Sequence, residues 1–204
     1  MEKQKIQKNN MNVILASASP RRQDLLQLIF DDFYISPADV DENIEVPKNV
    51  EKLPQQLACL KARAVEEKNF GCFVIGCDTS VIVEDTILGK PKDKEDCRKM
   101  IKLLSGRKHK VVTGCCLRLN GREHSFSDTT IVEFYPITDE EIEKYLSVKE
   151  ERSSVKYQWQ DKAGGYGIQG AAGLFVKGIE GDYNNVVGMP VALLNREIKN
   201  FLKD

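Results

Sequence analysis

Cys72-Phe-Val-Ile-Gly-Cys-Asp-Thr-Ser-Val-Ile-Val83 is the stretch on which the fold turns. Residues 72–75 form an apolar run bounded by Gly76, which predicts a short buried strand. Asp78 and Thr79 follow at its expected end, before a second apolar run at 81–83. Glu84-Asp-Thr86 predicts a tight turn and Ile87-Leu88 a returning hairpin strand. Gly89-Lys90-Pro91 closes that strand and places Lys90 at the hairpin's root, on the side of Asp78. An aspartate within so apolar a stretch is costly unless it is paired, hydrogen-bonded or metal-bound. Strand ends in α/β folds are also where ligands collect. Alone, the segment reads more simply as a turn capped by Asp78, so its meaning depends on the rest of the chain.

Upstream, Asn12-Val-Ile-Leu-Ala16 predicts a strand that feeds Ser17-Ala-Ser-Pro-Arg-Arg22. Ser19 suits an N-cap and Pro20 the first helical position, with Leu25, Leu26, Leu28 and Ile29 as the apolar side. Free amides and two hydroxyls there make an anion site. Arg21 and Arg22 oppose the helix dipole, which fits either a bound polyanion or a solvated pair. Phe33-Tyr-Ile35 predicts a second strand, and Asp39-Val-Asp-Glu42 an acidic loop that is solvated surface or a source of metal-ligating carboxylates. A helix over about 50–68 carries Leu53, Leu57, Leu60, Ala64 and Val65 on its apolar face. Lys61 and Arg63 on it read by default as solubilising charges.

Downstream, Asp93 caps a helix holding Cys97, Met100, Ile101 and Leu104, which stops at Ser105-Gly106. A strand over 110–119, the turn Asn120-Gly121 and a return through Thr129 to Phe134 form a hairpin. Thr138 and Glu141 make a capping box for a helix to Leu146, and 150–160 is a polar surface loop or helix end. Asp161-Lys-Ala-Gly-Gly-Tyr-Gly-Ile-Gln-Gly170 holds four glycines in ten residues. Close approach of backbone to a ligand is one reason to retain them. The spacing is neither a dinucleotide fingerprint nor a P-loop. A strand over 174–177, a turn at 181–185 and a last helix to Leu202 complete the chain.

The chain has 204 residues, 30 basic against 31 acidic, with 41% hydrophobic content. That balance argues against a large basic face for nucleic acid. No apolar run approaches the roughly 20 residues of a membrane helix. Residues 1–10 read as a mobile polar tail without a signal-peptide core, and 11–204 as one domain of two lobes. Six cysteines without a CxxC pair, and only two histidines, disfavour zinc and fit buried free thiols in a reducing cytosol.

Three loops stand out: 17–22 with hydroxyls and guanidiniums, 78–90 with a carboxylate and a lysine, 161–169 with flexible backbone, a lysine and an amide. Cations bind phosphates, carboxylates hold Mg²⁺ or orient water, and an amide reads both a donor and an acceptor on a base edge. Together they predict a metal-assisted hydrolase or transferase acting on a nucleotide polyphosphate.

The sequence resembles the Maf family of nucleotide pyrophosphatases from about Val13 to Leu194. The resemblance is carried by LASASPRR (15–22), VDE (40–42), LACLKA (57–62), IGCDT (75–79), LGKP (88–91), LSG (104–106), DKAGGYGIQG (161–170) and GDY…VVGMP (181–190). It implies an α/β fold, a mixed twisted sheet with flanking helices in two lobes around a central cleft, like the inosine triphosphate pyrophosphatases. It further implies hydrolysis of a nucleoside triphosphate to monophosphate and pyrophosphate with Mg²⁺ or Mn²⁺. Asp-Thr at 78–79 and Gly-Ile-Gln-Gly at 167–170 resemble the dTTP/UTP subgroup. By that pattern Asp78 is the general base, with Lys90 beside it in catalysis. Ser17, Lys61, Lys90 and Lys162 hold phosphates; Thr79, Gln169 and one of Arg21 or Arg22 set base preference; Glu42 joins Asp78 at the metal. A cytoplasmic homodimer is compatible with the resemblance. The rival readings are a non-catalytic nucleotide-binding regulator of cell division and a 7-methyl-GTP or ITP pyrophosphatase.

Overall fold

The computed structural model describes residues 11–147 and 159–203. The expected tail at 1–10 and most of the expected 150–160 loop lie outside the described residues. The strands are β1 (Val13–Leu15), β2 (Tyr34–Ile35), β3 (Phe73–Val83), β4 (Thr86–Leu88), β5 (Lys108–Leu119), β6 (Arg122–Phe134) and β7 (Val176–Glu180). The helices are α1 (Pro20–Leu26), α2 (Leu53–Lys68), α3 (Lys94–Leu104), α4 (Asp139–Leu146), α5 (Tyr183–Val187) and α6 (Val191–Phe201). Among the described residues the strands form one mixed sheet in the order β2-β1-β3-β5-β6-β7, with β4 pairing to β3. β1 runs parallel to β2 and β3, whereas β3–β4 and β6–β7 are antiparallel. This is the expected mixed α/β architecture.

β3 corrects one expectation. It is a single strand of 11 residues, so Asp78 and Thr79 lie within it and not at its end. The stretches 73–77 and 80–83 are buried on either side, Ser80 among them, and Asp78 and Thr79 are half-buried. Strand alternation sends Val74, Gly76 and Asp78 to one face and Phe73, Ile75, Cys77 and Thr79 to the other. Asp78 and Thr79 find partners inside the protein, which is what allows them to stay in a strand.

The described residues divide into two compact units, the first comprising 11–79, 113–128 and 188–203, the second 80–112, 129–147 and 159–187. In the first, α2 lies directly on the sheet. Ala58 and Ala62 are fully buried with Val74 and Cys116 in one cluster. A Cβ on Gly76 would sit 2.3 Å from the Ala58 carbonyl oxygen, and one on Gly114 2.3 Å from the Gln55 nitrogen. Both glycines therefore mark contact between helix and strand backbone. The helix buries Leu57, Ala58, Ala62 and Val65, while Leu53, Leu60 and Ala64 of the expected face are only half-buried. On the opposite face Phe73 packs against Phe30 and Phe201, with ring centroids 6.4 and 5.9 Å apart. α1 ends at Leu26, earlier than expected, and Leu28 is 63% exposed. The Asn120-Gly121 turn has the positive φ angles, 53° and 80°, that its sequence demands.

The second unit is built on Val81, Val83, Leu88, Ile101, Val111, Val132, Phe134, Ile142 and Phe175. Asp93 caps α3 and the Thr138–Glu141 capping box opens α4, as expected. Leu174 falls in a 3₁₀ turn, Ala171–Phe175, and is 84% exposed, so the strand begins later, at Val176. The cause is the Gly173 N–H, which bonds the Gly170 carbonyl at 2.9 Å and closes a turn where a strand was expected. The turn expected at 181–185 instead passes into α5; Asp182 Oδ1 accepts from the Asn184 N–H, and the Asn185 amide reaches the Val111 carbonyl.

His109 on β5 is 2% exposed, edge-on to Phe134, with Nε2 2.7 Å from the Tyr166 hydroxyl and Nδ1 without a hydrogen-bond partner. Burial lowers its pKa from 6.5 to about 4. Between those values the unfolded chain binds the extra proton, so this contribution is complete above pH 6.5 and is lost as pH falls towards 4. The loss is on the order of 3 kcal/mol. His109→Phe should flatten the slope of unfolding free energy against pH in that window, measured by urea titration. An unchanged slope would contradict the assignment.

Candidate active site

In the first unit, β3 presents two polar groups to two different helices. Asp78 faces α2, where Lys61 Nζ lies 2.7 Å from its Oδ1. The same ammonium is 3.0 Å from Glu42 Oε2, which comes from the loop after β2. The Lys61 and Asp78 side chains are 12% and 13% exposed, and Glu42 is 55% exposed. Lys61 thus corrects the default reading of a solubilising charge: the close seat of α2 on Gly76 brings its stem to the strand. Two carboxylates share one ammonium, leaving a net negative charge with hard oxygen donors. That donor set suits Mg²⁺ or Mn²⁺. Glu42 and Asp78 therefore fit a divalent ion.

Thr79 faces the other way. Its Oγ1 accepts from Arg22 Nη2 at 3.0 Å, is hydrogen-bonded with Thr113 Oγ1 at 3.0 Å and donates to the Gly188 carbonyl at 3.4 Å. Arg22 also donates from Nε to the Gly188 carbonyl and from Nη1 to Ser17 Oγ and the Cys77 carbonyl, at 2.8–3.2 Å. Four of its five N–H groups are thereby used. These protein acceptors, rather than a polyanion, account for an arginine placed against the dipole of α1. Ser17 is 9% exposed, and its Oγ also accepts from the Ser19 N–H. Ser19 is at the N-cap but makes no side-chain cap bond. Arg21, in the same turn, is half-buried.

The second unit carries the remaining expected residues. Lys90 and Gln169 are exposed. Lys162 is 6% exposed and its Nζ is 2.5 Å from Asp161 Oδ1. Several glycines of the loop pack closely within this unit. A Cβ on Gly165 would lie 2.6 Å from Cys97 Sγ, and one on Gly167 2.6 Å from Lys162 Cε. Gly164 and Gly165 have φ of 69° and 70°, and the Gly164 N–H bonds the Gly89 carbonyl, tying the loop to the hairpin's root.

Two members of the Arg22 network were not expected from the sequence. Thr113 gives no signal, being one β-branched residue in a strand. Gly188 does give one, since it interrupts Val186-Val-Gly-Met-Pro190. Its φ is 130°, and a Cβ there would lie 3.7 Å from both Arg22 Nε and Thr79 Oγ1.

The profile of a family described as "Maf-like protein" matches residues 12–201. A dTTP/UTP pyrophosphatase from a Geobacillus species is 45% identical over 187 residues, covering 92% of this chain and 96% of that protein. A dTTP/UTP pyrophosphatase from Bacillus cereus is 42% identical over 189 residues, covering 93% and 95%. Among solved structures, a HAM1 protein from Coxiella burnetii superposes with a TM-score of 0.52 at 12% identity, covering 93% of this chain and 99% of that one. That likeness concerns the fold alone.

The Lys61–Asp78 pair generates a stability test. Removing one partner of a largely buried pair leaves an uncompensated charge. Lys61→Met should cost on the order of 2–4 kcal/mol. A cycle with Asp78→Asn should show a coupling of about 1–3 kcal/mol by denaturant unfolding. Additive effects would contradict the pairing.

Proposed function

Because the chain belongs to the Maf family, we propose that it is a nucleoside triphosphate pyrophosphatase hydrolysing dTTP and UTP to the monophosphate and pyrophosphate. The observation that supports this most is Asp78, fixed within a strand by Lys61, with Glu42 on the same ammonium. The base preference follows what the relatives' names say of them. In the cell such an activity would clear surplus or modified pyrimidine triphosphates from nucleotide pools. The catalytic domain is taken to be 11–204, acting as a cytoplasmic enzyme and a homodimer.

The reaction is direct attack of water on the α-phosphorus, without a covalent intermediate. Lys61 binds Asp78 Oδ1 and so fixes the plane of the carboxylate, leaving Oδ2 to orient the water and take its proton. The proton leaves the water as its oxygen bonds phosphorus, and the bond from the α-phosphorus to the bridging oxygen breaks. The departing pyrophosphate carries the negative charge. A Mg²⁺ or Mn²⁺ ion on Glu42 and Asp78 would neutralise phosphate charge and acidify bound water. Ser17, Lys61, Lys90 and Lys162 are assigned to the phosphates, Lys90 meeting charge on the leaving group. Gln169 is assigned to the base edge, and Arg21 to base preference. Thr79 and Arg22 act on base preference by shaping the site, since their hydrogen bonds are largely used on one another and on Ser17, Thr113 and Gly188.

A panel of UTP, dTTP, CTP, 7-methyl-GTP and ITP with Mg²⁺ or Mn²⁺, assayed separately for pyrophosphate and orthophosphate, tests the reading. Pyrophosphate should appear mainly from UTP and dTTP. Asp78→Asn should lower kcat by roughly 10²–10⁴-fold with an unchanged circular dichroism spectrum. A preference for 7-methyl-GTP would overturn the base assignment. Near-wild-type turnover by the variant would overturn the role of Asp78. Tight binding without turnover by the wild type would favour a nucleotide sensor.

A further inference from the structure

All six cysteines are free, and four of them form two pairs in the first unit. Cys77 and Cys115 have sulfurs 3.6 Å apart, and both are fully buried. Cys59 on α2 and Cys116 on β5 are the second pair, and with Glu123 of β6 their ligand atoms lie within 4.8 Å of one another. Here the surroundings differ. Cys59 is 9% exposed, whereas Cys116 behind it is fully buried.

We propose that Cys59 and Cys116 form a dithiol site that a hydroperoxide oxidises to a disulfide, with Cys59 as the attacking sulfur and Cys116 as the resolving one. The groups around Cys59 suit that role. The Cys116 thiol and the Ser125 hydroxyl donate to its sulfur and the Arg63 guanidinium lies nearby, while burial and the Glu123 carboxylate oppose them. The balance lowers its pKa to about 7, so a large fraction is thiolate at neutral pH. Cys116 is pushed far upward by its bond to Cys59, by burial and by Glu123, and keeps its proton. A partly exposed thiolate against a protonated partner is the arrangement that sulfenic acid chemistry uses.

The steps balance. The Cys59 thiolate attacks one peroxide oxygen, the O–O bond breaks, and the protein retains a sulfenic acid as the other oxygen leaves as hydroxide or alkoxide. Cys116 then attacks the Cys59 sulfur, the S–O bond breaks, and water leaves as the disulfide forms. Two thiols lose two electrons and the peroxide gains them.

A cation site built on the same atoms is disfavoured. Glu123 is already gripped by Arg63, through Nε at 2.7 Å and Nη2 at 2.5 Å, and by Arg118. Two guanidiniums beside a three-ligand site repel a metal ion. The other thiols are poorer candidates: Cys77 and Cys115 are sealed from solvent, and burial raises Cys97 to about 12. The bond would form two residues before Lys61, in the helical turn that reaches Asp78.

The test is treatment of the reduced full chain with one equivalent of hydrogen peroxide, followed by non-reducing tryptic mass spectrometry. The expected product links the peptides 53–61 and 111–118, two hydrogens lighter, with fragmentation placing the bond between Cys59 and Cys116. Its rate should reach half-maximum near pH 7. Cys59→Ser should abolish the link, and Cys116→Ser should leave a dimedone-reactive sulfenic acid at Cys59. A link between Cys77 and Cys115, first oxidation at Cys72, or Cys59 still reduced after tenfold excess peroxide would each overturn the proposal. So would stoichiometric Zn²⁺ binding that Cys59→Ser removes, because it would make the cluster a metal site.

Discussion

Everything in the first unit depends on how closely α2 lies on the sheet. At Gly76 and Gly114 the helix backbone touches strand backbone, with room for no side chain on either glycine. That contact has an energetic cost, since glycine loses more chain entropy on folding than other residues do. It is offset by the packing of Ala58 and Ala62 on the strand, and it brings α2 near enough for Lys61 to meet Asp78. An alanine at 76 would drive the helix outward and separate the pair without touching either charge.

The same strand solves a second problem. A carboxylate and a hydroxyl in the middle of a buried strand are tolerable only if both are satisfied. Alternation assigns them to opposite faces, Asp78 to Lys61 and Thr79 to Arg22. Arg22 then ties the start of α1 to β3 at two points and to the Gly188 turn before α6. The result is a carboxylate held rigidly on one side and a guanidinium held rigidly on the other. In the proposed reaction the first handles the water, and the second gives the base site its shape.

Much of this was legible in the sequence, and the exceptions have physical causes. Local signals were read correctly where they act locally: the cap at Asp93, the capping box at Thr138 and Glu141, the turn at Asn120-Gly121. Resemblance located Asp78, Lys61 and Glu42, and the structure brings those three together. What escaped was tertiary. Whether Asp78 ends a strand or interrupts one depends on whether Lys61 reaches it, which no local pattern reveals. Arg22 could be read only as facing a bound polyanion or solvent because three of its acceptors are distant in sequence: Cys77, Thr79 and Gly188. Nor does any local pattern show that Cys97 and the stem of Lys162 pack against the glycines at 165 and 167. Composition could suggest free thiols but not that Cys59 and Cys116 would meet.

The most direct test of the central claim is hydrolysis of UTP in water labelled with heavy oxygen, followed by mass spectrometry of both products. Attack on the α-phosphorus by a water oriented on Asp78 predicts one labelled oxygen in UMP and none in pyrophosphate. Label in the pyrophosphate would place the attack on the β-phosphorus and contradict the account.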